Sequence, residues 1–210
     1  MTQTILYSYR RCPYAMRARM ALAYAGIDVE IREISLREKP SSMLAISPKG
    51  TVPVLRQGTL VIDESYLIMR WALSQSDPDE WLKKELEASI DQWVARNDGP
   101  FKKLLDQYKY PDRFPETNLS DTLSKAIELQ LNPLETQLKQ TPYIFGEKIS
   151  LADIAIFPFI RQFMMVDVAK FDQLDFVAVK RWLNEHLESA LFLKIMTRYP
   201  TWEDSGLEKK

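Results

Sequence analysis

The period of the apolar positions changes along the chain and divides it in two. Thr4-Ile5-Leu6-Tyr7-Ser8-Tyr9 reads as a strand, and the run from Tyr14 to Ala25 reads as a helix. Pro13 suits the first helical position, because its missing N–H would have no intrahelical partner there. Gly26 suits the residue just past the helix end. Asp28 to Ile34 alternates polar and apolar residues, as a half-buried strand does. Lys39-Pro40-Ser41-Ser42 leads into a short helical turn near Met43 to Ile46, and Ser47-Pro48-Lys49-Gly50 is a turn cluster. Two short strands follow, Val52 to Arg56 and Leu60 to Ile62, split by a hairpin at Gln57-Gly58-Thr59. Glu64-Ser65 then opens a helix that runs through Leu73. The order is β-α-β-α-β-β-α, an α+β domain. Its first crossover implies parallel pairing and its late hairpin antiparallel pairing.

Ser74-Gln75-Ser76-Asp77-Pro78-Asp79 is polar and carries a proline, so the domain boundary is expected there, with domains at 1–76 and 77–210. Everything beyond reads as helix, an all-α domain. Leu123, Ile127, Leu131, Leu134 and Leu138 recur at steps of four or three and make one apolar stripe. Ser150-Leu151-Ala152-Asp153 has the form of an N-terminal capping box, a folding device. It starts an apolar run, Ile154 to Ile160, expected to be a buried helix kinked at Pro158. His186 falls in an amphipathic helix and is expected to be half-exposed.

Composition narrows the function classes. Apolar residues make up 46% and charged residues 27%, enough for a normal core. The net charge of −1, from 28 basic and 29 acidic residues, argues against nucleic acid as the main partner. No run approaches a membrane span, and no signal peptide is visible in Met1-Thr2-Gln3-Thr4. One Cys and one His make a structural zinc site improbable, and a single thiol fits a reducing, cytoplasmic setting. There is no phosphate-binding glycine loop and no internal repeat.

That one cysteine carries the main chemical signal. Cys12 lies between the first strand and Pro13, at the N-cap of the first helix. A sulfur there lies near the free N–H groups of Tyr14 and Ala15 and the positive end of the helix dipole. Both favour the thiolate, which is the nucleophile. Arg10, Arg11 and Arg17 add positive charge. A lone cysteine is more often a small buried hydrophobe, but the strand–Cys–Pro–helix setting reverses those odds.

Two further pairs complete a constellation. Pro53 stands in a strand-like run, where proline is unusual. A cis Val52–Pro53 bond would accommodate it and leave the backbone of Val52 free to pair with an extended peptide. Glu64-Ser65 offers a carboxylate for an ammonium group, and a hydroxyl with a helix N-terminus for a carboxylate. Singly, these read as an edge strand and an ordinary helix start. With Cys12, they describe a site for a peptide that has an amino-acid head and a thiol. Glutathione has that layout.

On these residues the chain resembles the soluble glutathione transferases over nearly its whole length, including the Ser150 to Asp153 box. The resemblance implies a thioredoxin-like N-terminal domain followed by a helical domain. Arg11-Cys12-Pro13-Tyr14-Ala15 with Arg17-Ala18-Arg19 is most similar to the omega class and its bacterial relatives, which use cysteine where other classes use tyrosine or serine. It implies Cys12 as the catalytic residue and glutathione as cosubstrate, bound by Lys39 (glycyl end), Val52 (backbone, after which Pro53 fixes the turn), and Glu64 and Ser65 (γ-glutamyl end). A solvated loop position is nearly as good a reading of Lys39. Ala15 stands where dithiol enzymes have a second cysteine, so an external thiol must release any mixed disulfide on Cys12. The expected activity is glutathione-dependent thiol transfer: deglutathionylation, mixed-disulfide reduction or dehydroascorbate reduction. The alternatives are conjugation of glutathione to electrophiles, a non-enzymatic binding protein of the same fold, and a membrane-inserting relative. The intact site disfavours the second and the lack of an apolar run near residues 10–35 the third. The small-molecule or disulfide acceptor is expected on the helical domain near Trp93, Arg96 and Asn97, with core packing the expected role of Trp93. The resemblance also implies a homodimer.

Overall fold

The computed structural model describes residues 3–204; the outermost ends of the two expected domains, 1–2 and 205–210, lie outside the described residues. The chain forms two compact units. One contains the described residues through Asp79 together with those from Ala190 onward; the other is Glu80–Ser189.

The first unit is built on a four-stranded sheet ordered β2-β1-β3-β4, with β1 Thr4–Ser8, β2 Glu30–Glu33, β3 Val54–Gln57 and β4 Leu60–Ile62. β1 pairs parallel with β2 and antiparallel with β3, and β3 pairs antiparallel with β4. All five residues of β1 are buried, as expected of a central strand covered on both faces. Ile5 and Tyr7 share one face with Ile34, Met43 and Val54. Helices α1 (Pro13–Tyr24) and α3 (Ser65–Gln75) pack against each other, and α2 (Ser41–Ile46) follows β2. Gly26 ends α1 as expected: its φ is +68°, and bonds from Gly26 N to Ala23 O and Ile27 N to Leu22 O close a Schellman motif. β3 begins two residues later than expected, after a cis Val52–Pro53 bond. The backbone of Val52 therefore lies outside the strand ladder.

The second unit is helical. α4 (Glu87–Arg96) passes through a π-helical turn, Asn97–Phe101, into α5 (Lys102–Lys109). α6 (Leu119–Ala126) passes through a second, Ile127–Leu131, into α7 (Asn132–Leu138). α8 (Leu151–Met164), α9 (Val168–Gln173) and α10 (Val177–Glu188) follow. Proline sits within the first widened turn (Pro100) and just after the second (Pro133), where the missing N–H and the ring disfavour a regular α-turn. The second turn shifts the buried face by one position. Ala126 and Gln130 are buried where the expected stripe had Ile127, while Leu123, Leu131, Leu134 and Leu138 are buried as expected. α8 continues as a helix through Pro158.

His186 departs from expectation. It is 1% exposed, with its ring 5.0 Å from those of both Phe157 and Trp182. It belongs to the inward stripe of α10 with Val179, Trp182 and Leu183, so its face of the helix decides its burial. Burial pushes its pKa down to about 4, because a charged imidazole would lose its hydration there.

The last segment corrects the expected domain limits. Residues from Ala190 onward belong with the first unit, not with the helical domain. α11 (Ala190–Ile195) packs on α1. Thr201 bridges to Glu33 in parallel fashion, and Trp202 N donates to Glu33 O at 2.7 Å. The Trp202 ring meets Tyr7 edge-on at 5.8 Å and lies under Arg32 at 4.2 Å. Asp204 accepts from Ser41 Oγ and Ser42 Oγ. The segment thus lies along β2, which would otherwise be an open sheet edge.

Candidate active site

Cys12 is the N-cap of α1 and is partly exposed. Its side chain makes no capping hydrogen bond to the helix. The thiol is directed instead to the carbonyl oxygen of Val52, 3.8 Å away. The expected helix-end setting is therefore present, but the sulfur faces across to the Val52–Pro53 turn and not down the helix axis. Tyr9 O and Cys12 N close the preceding turn at 2.9 Å. Ala15 is fully buried one turn along.

The other site residues connect to this pair through the chain. Gly50 precedes Val52 by two residues and has φ +63°. The left-handed turn favours glycine here, and a Cβ would also come within 3.3 Å of Leu44 Cδ2 and 3.5 Å of Lys39 Nζ. Lys39 is exposed and its side chain lies over Gly50. Lys49 donates to Glu64 Oε1 at 2.5 Å and to the carbonyl of Asp63 at 3.0 Å. Although burial opposes it, the bond to Glu64 and the charge of Asp63 hold the Lys49 pKa above its usual value. Ser47 Oγ donates to Asp63 Oδ2 and steadies the same turn. Glu64 is the N-cap of α3 and Ser65 its first residue. Ser65, 3% exposed, accepts from Nε of Arg17, itself 2% exposed. Arg17 lies on α1, which returns the circuit to Cys12.

Cys12, Val52, Lys39, Glu64 and Ser65 thus fall on one circuit of loops and helix starts in the first unit. A thiol faces the Val52 carbonyl outside the strand ladder, two lysines lie at the turn before it, and a carboxylate and a hydroxyl open the next helix. The family follows from two matches over most of the chain. The glutathione S-transferase N-terminal domain model matches residues 6–81, and the C-terminal domain model matches 91–185. The chain belongs to the glutathione S-transferase family.

Among curated relatives, it is 28% identical to maleylacetoacetate isomerase of Rattus norvegicus over 168 residues, 73% of this chain and 75% of that protein. It is likewise 28% identical to glutathione S-transferase omega-1 of Sus scrofa over 161 residues, 73% of this chain and 64% of that protein. Among solved structures, a glutathione transferase family member from Pseudomonas fluorescens with two glutathione molecules bound superposes with a TM-score of 0.81 at 21% identity, covering 93% of this chain and 92% of the other.

Three residues of the site escaped the sequence reading. Lys49 sits in the turn cluster before Val52, and a basic residue beside the expected ligand-binding turn is the available signal. Arg19 and Glu33 gave no separate signal, since one lies in a helix and the other ends an alternating strand. Arg19 is 3% exposed. Burial pushes its pKa down to about 10, with Glu33 and Cys12 opposing the shift, so it stays charged at neutral pH. In the helical unit, Arg96 stacks over Trp93 at 3.9 Å and donates to Gln130 Oε1 at 3.0 Å. Asn97, expected on the same face, is fully buried in the first π-helical turn. Among the described residues no helix is long and apolar enough to cross a membrane.

Proposed function

We propose that this protein is a glutathione-dependent thiol transferase working through a mixed disulfide on Cys12. The observation that carries the reading is a single sulfur at the mouth of α1, facing Val52 O at 3.8 Å with buried Ala15 where a second thiol would stand. In the proposed cycle the Cys12 thiolate attacks the glutathione sulfur of a glutathionylated substrate. The S–S bond breaks, the substrate leaves as a thiolate and takes a proton from water. A second glutathione thiolate then attacks the glutathione sulfur held on Cys12, releasing glutathione disulfide and restoring the Cys12 thiolate. Dehydroascorbate reduction draws on the same two glutathione equivalents. The similarity to omega-1 supports this reading over conjugation.

The ligand contacts follow from the charges. Glu64 would receive the γ-glutamyl ammonium in place of Lys49, freeing Lys49 for a carboxylate. The Ser65 oxygen already accepts from Arg17, so its proton is left for the γ-glutamyl carboxylate. Val52 would pair with the cysteinyl backbone, and Lys39 would meet the glycyl end. The proposed acceptor lies against the helical domain, and the proposed assembly is a homodimer.

The test is Cys12→Ser, assayed with a glutathionylated peptide, dehydroascorbate and an aryl halide. Thiol transfer and dehydroascorbate reduction are expected to fall to background while glutathione binding is kept, because serine cannot form the mixed disulfide. Aryl-halide conjugation is expected to hold or rise, since a hydroxyl can donate to bound glutathione thiolate. Full thioltransferase activity in the serine variant would reassign the protein as a conjugating transferase or a binding protein.

A further inference from the structure

We infer that Arg19 and Glu33 are positioning residues that grip the turn before Cys12 from both sides and set the reactivity of its thiol. This rests on the reading of Cys12 as a nucleophile. The turn runs Tyr9-Arg10-Arg11-Cys12 and is closed by Cys12 N to Tyr9 O. At its second residue both backbone groups point outward, and both are taken. Arg10 N donates to Glu33 Oε1 at 2.6 Å. Arg10 O accepts from Arg19 Nη2 at 2.8 Å. The two side chains approach each other at 4.0 Å, with side-chain exposures of only 2% and 12%. A buried ion pair therefore holds one peptide unit by its donor and its acceptor.

The pair is itself anchored. Glu33 ends β2, paired with Ser8 of β1, and its carbonyl accepts from Trp202 N of the C-terminal segment. Arg19 rises from the second turn of α1 and reaches back toward the helix start. Cys12 begins that same helix, so the sulfur's position depends on a turn fixed at both ends.

Arg19 also acts through charge. Nε and Nη1 of Arg19 and Oε2 of Glu33 have no hydrogen-bond partner among the described residues, so the ion pair is not saturated within itself. The charges of Arg19 and Cys12 interact, and by reciprocity a cation stabilised by a thiolate stabilises that thiolate. The other charged and titratable groups of this region include Arg10, Arg11 and Arg17 on the turn and helix, Tyr9 beside Arg11, Tyr14 under Arg17, and Asp28, Lys194 and Tyr199, which line a cavity together with Arg19. Arg11 is exposed, and its guanidinium is held by the Tyr9 hydroxyl. Arg17 is engaged with Ser65. Arg19 is thus the buried cation tied directly to the nucleophile's turn.

The two partners should then move Cys12 in opposite directions. Arg19→Met removes the cation and the bond to Arg10 O. Glu33→Gln keeps an acceptor for Arg10 N but removes the negative charge that competes for Arg19. The readout is the rate of Cys12 alkylation by iodoacetamide against pH, with thermal melts of each variant alongside. In the wild-type protein the half-maximal rate should lie below the free-thiol value of about 8.5. If it does not, the nucleophile reading fails before the clamp is tested. Given a reactive wild type, Arg19→Met should slow alkylation by about tenfold at a pH well below the wild-type midpoint, which at constant intrinsic nucleophilicity is a one-unit rise in midpoint. Glu33→Gln should hold the rate or raise it. Arg19→Lys, which keeps the charge and loses the fork, should recover most of the midpoint but less of the rate at its plateau. Equal slowing in both Arg19→Met and Glu33→Gln, matched by equal losses of melting temperature, would overturn the inference in favour of plain structural support. Rates within twofold of wild type in all three variants would overturn it outright.

Discussion

Ser150 and Asp153 at the start of α8, and Glu64 and Ser65 at the start of α3, each pair a hydroxyl with a carboxylate at a helix N-terminus. Asp153 is fully buried. Its two oxygens accept from Ile144 N, Ser150 N, Ser150 Oγ and Trp182 Nε1, all between 2.6 and 3.0 Å. Glu64 has a side chain 64% exposed and is held by the exposed ammonium of Lys49. The first carboxylate has no capacity left for a ligand. The second keeps most of its acceptor sites in water, beside a hydroxyl whose own oxygen is already taken by Arg17. Similar residue types therefore become a fold-locking device in one unit and, under the proposed function, a receptor in the other. What separates them is how many of their hydrogen-bonding positions the protein itself fills.

The largest effect that can break this comparison is expected at Asp153. Asp153→Ala should destabilise the helical unit by about 3–5 kcal/mol, because four donors lose a buried partner together. Urea unfolding with a helical-unit probe such as Trp182 fluorescence measures this. A loss below about 1 kcal/mol would mean that the four bonds are not structural. Glu64→Ala, by contrast, should leave stability within about 0.5 kcal/mol, since exposed ion pairs contribute little.

A second, somewhat smaller effect separates the units by pH. His186 sits at about 4 in the folded state against about 6.5 in the unfolded chain. The unfolded state therefore binds a proton that the folded state refuses. Stability from this group is fully present above about pH 6.5 and is lost as pH falls toward 4, by about 3 kcal/mol in all. Asp153 works in the opposite sense: burial raises its pKa against the pull of its hydrogen bonds, so falling pH through its titration favours the folded state. His186→Phe isolates the histidine and keeps an aromatic ring against Phe157 and Trp182. The variant should match wild type near pH 7 and exceed it at pH 4.5 in chemical denaturation. Parallel pH curves for the two proteins would contradict the assignment.

The smallest effect sharpens the receptor side. Ser65→Ala should raise the glutathione KM about fivefold, corresponding to one hydrogen bond of about 1 kcal/mol, with kcat nearly unchanged. The hydroxyl would hold the γ-glutamyl end, far from the sulfur, and so bind ground and transition states alike. Steady-state kinetics at saturating acceptor distinguishes the two constants. An unchanged KM would return Ser65 to the class of Ser150, a residue of the helix start alone.

Much of this molecule was legible as pattern. The β-α-β-α-β-β-α order, the Pro13 and Gly26 limits of α1 and the cis Val52–Pro53 bond depend on local backbone preferences, which proline, glycine and alternating polarity express directly. Cys12, Val52, Glu64 and Ser65 stand out in the sequence because each sits at an element boundary, and the structure places them at those boundaries. The misreadings share a different cause. The sequence suggests a half-exposed His186 because an amphipathic helix does not announce which borderline residue joins its inner stripe. The face of the stripe in α6 and α7 moved by one position at a π-helical turn, which local pattern near Pro133 hinted at without fixing.

The sequence by itself determined the strands, the helix starts and the single sulfur at the head of α1, because these follow from interactions between residues close along the chain. The tertiary structure decided the rest. It brought Ser65 onto Arg17 across 48 positions and closed Arg19 and Glu33 around the Arg10 peptide. It also returned Thr201 and Trp202 to the edge of β2, against the expectation that the C-terminus stays with the helices. Such pairings depend on which buried donors and acceptors remain unfilled once the elements have packed, and a linear sequence does not encode that remainder locally.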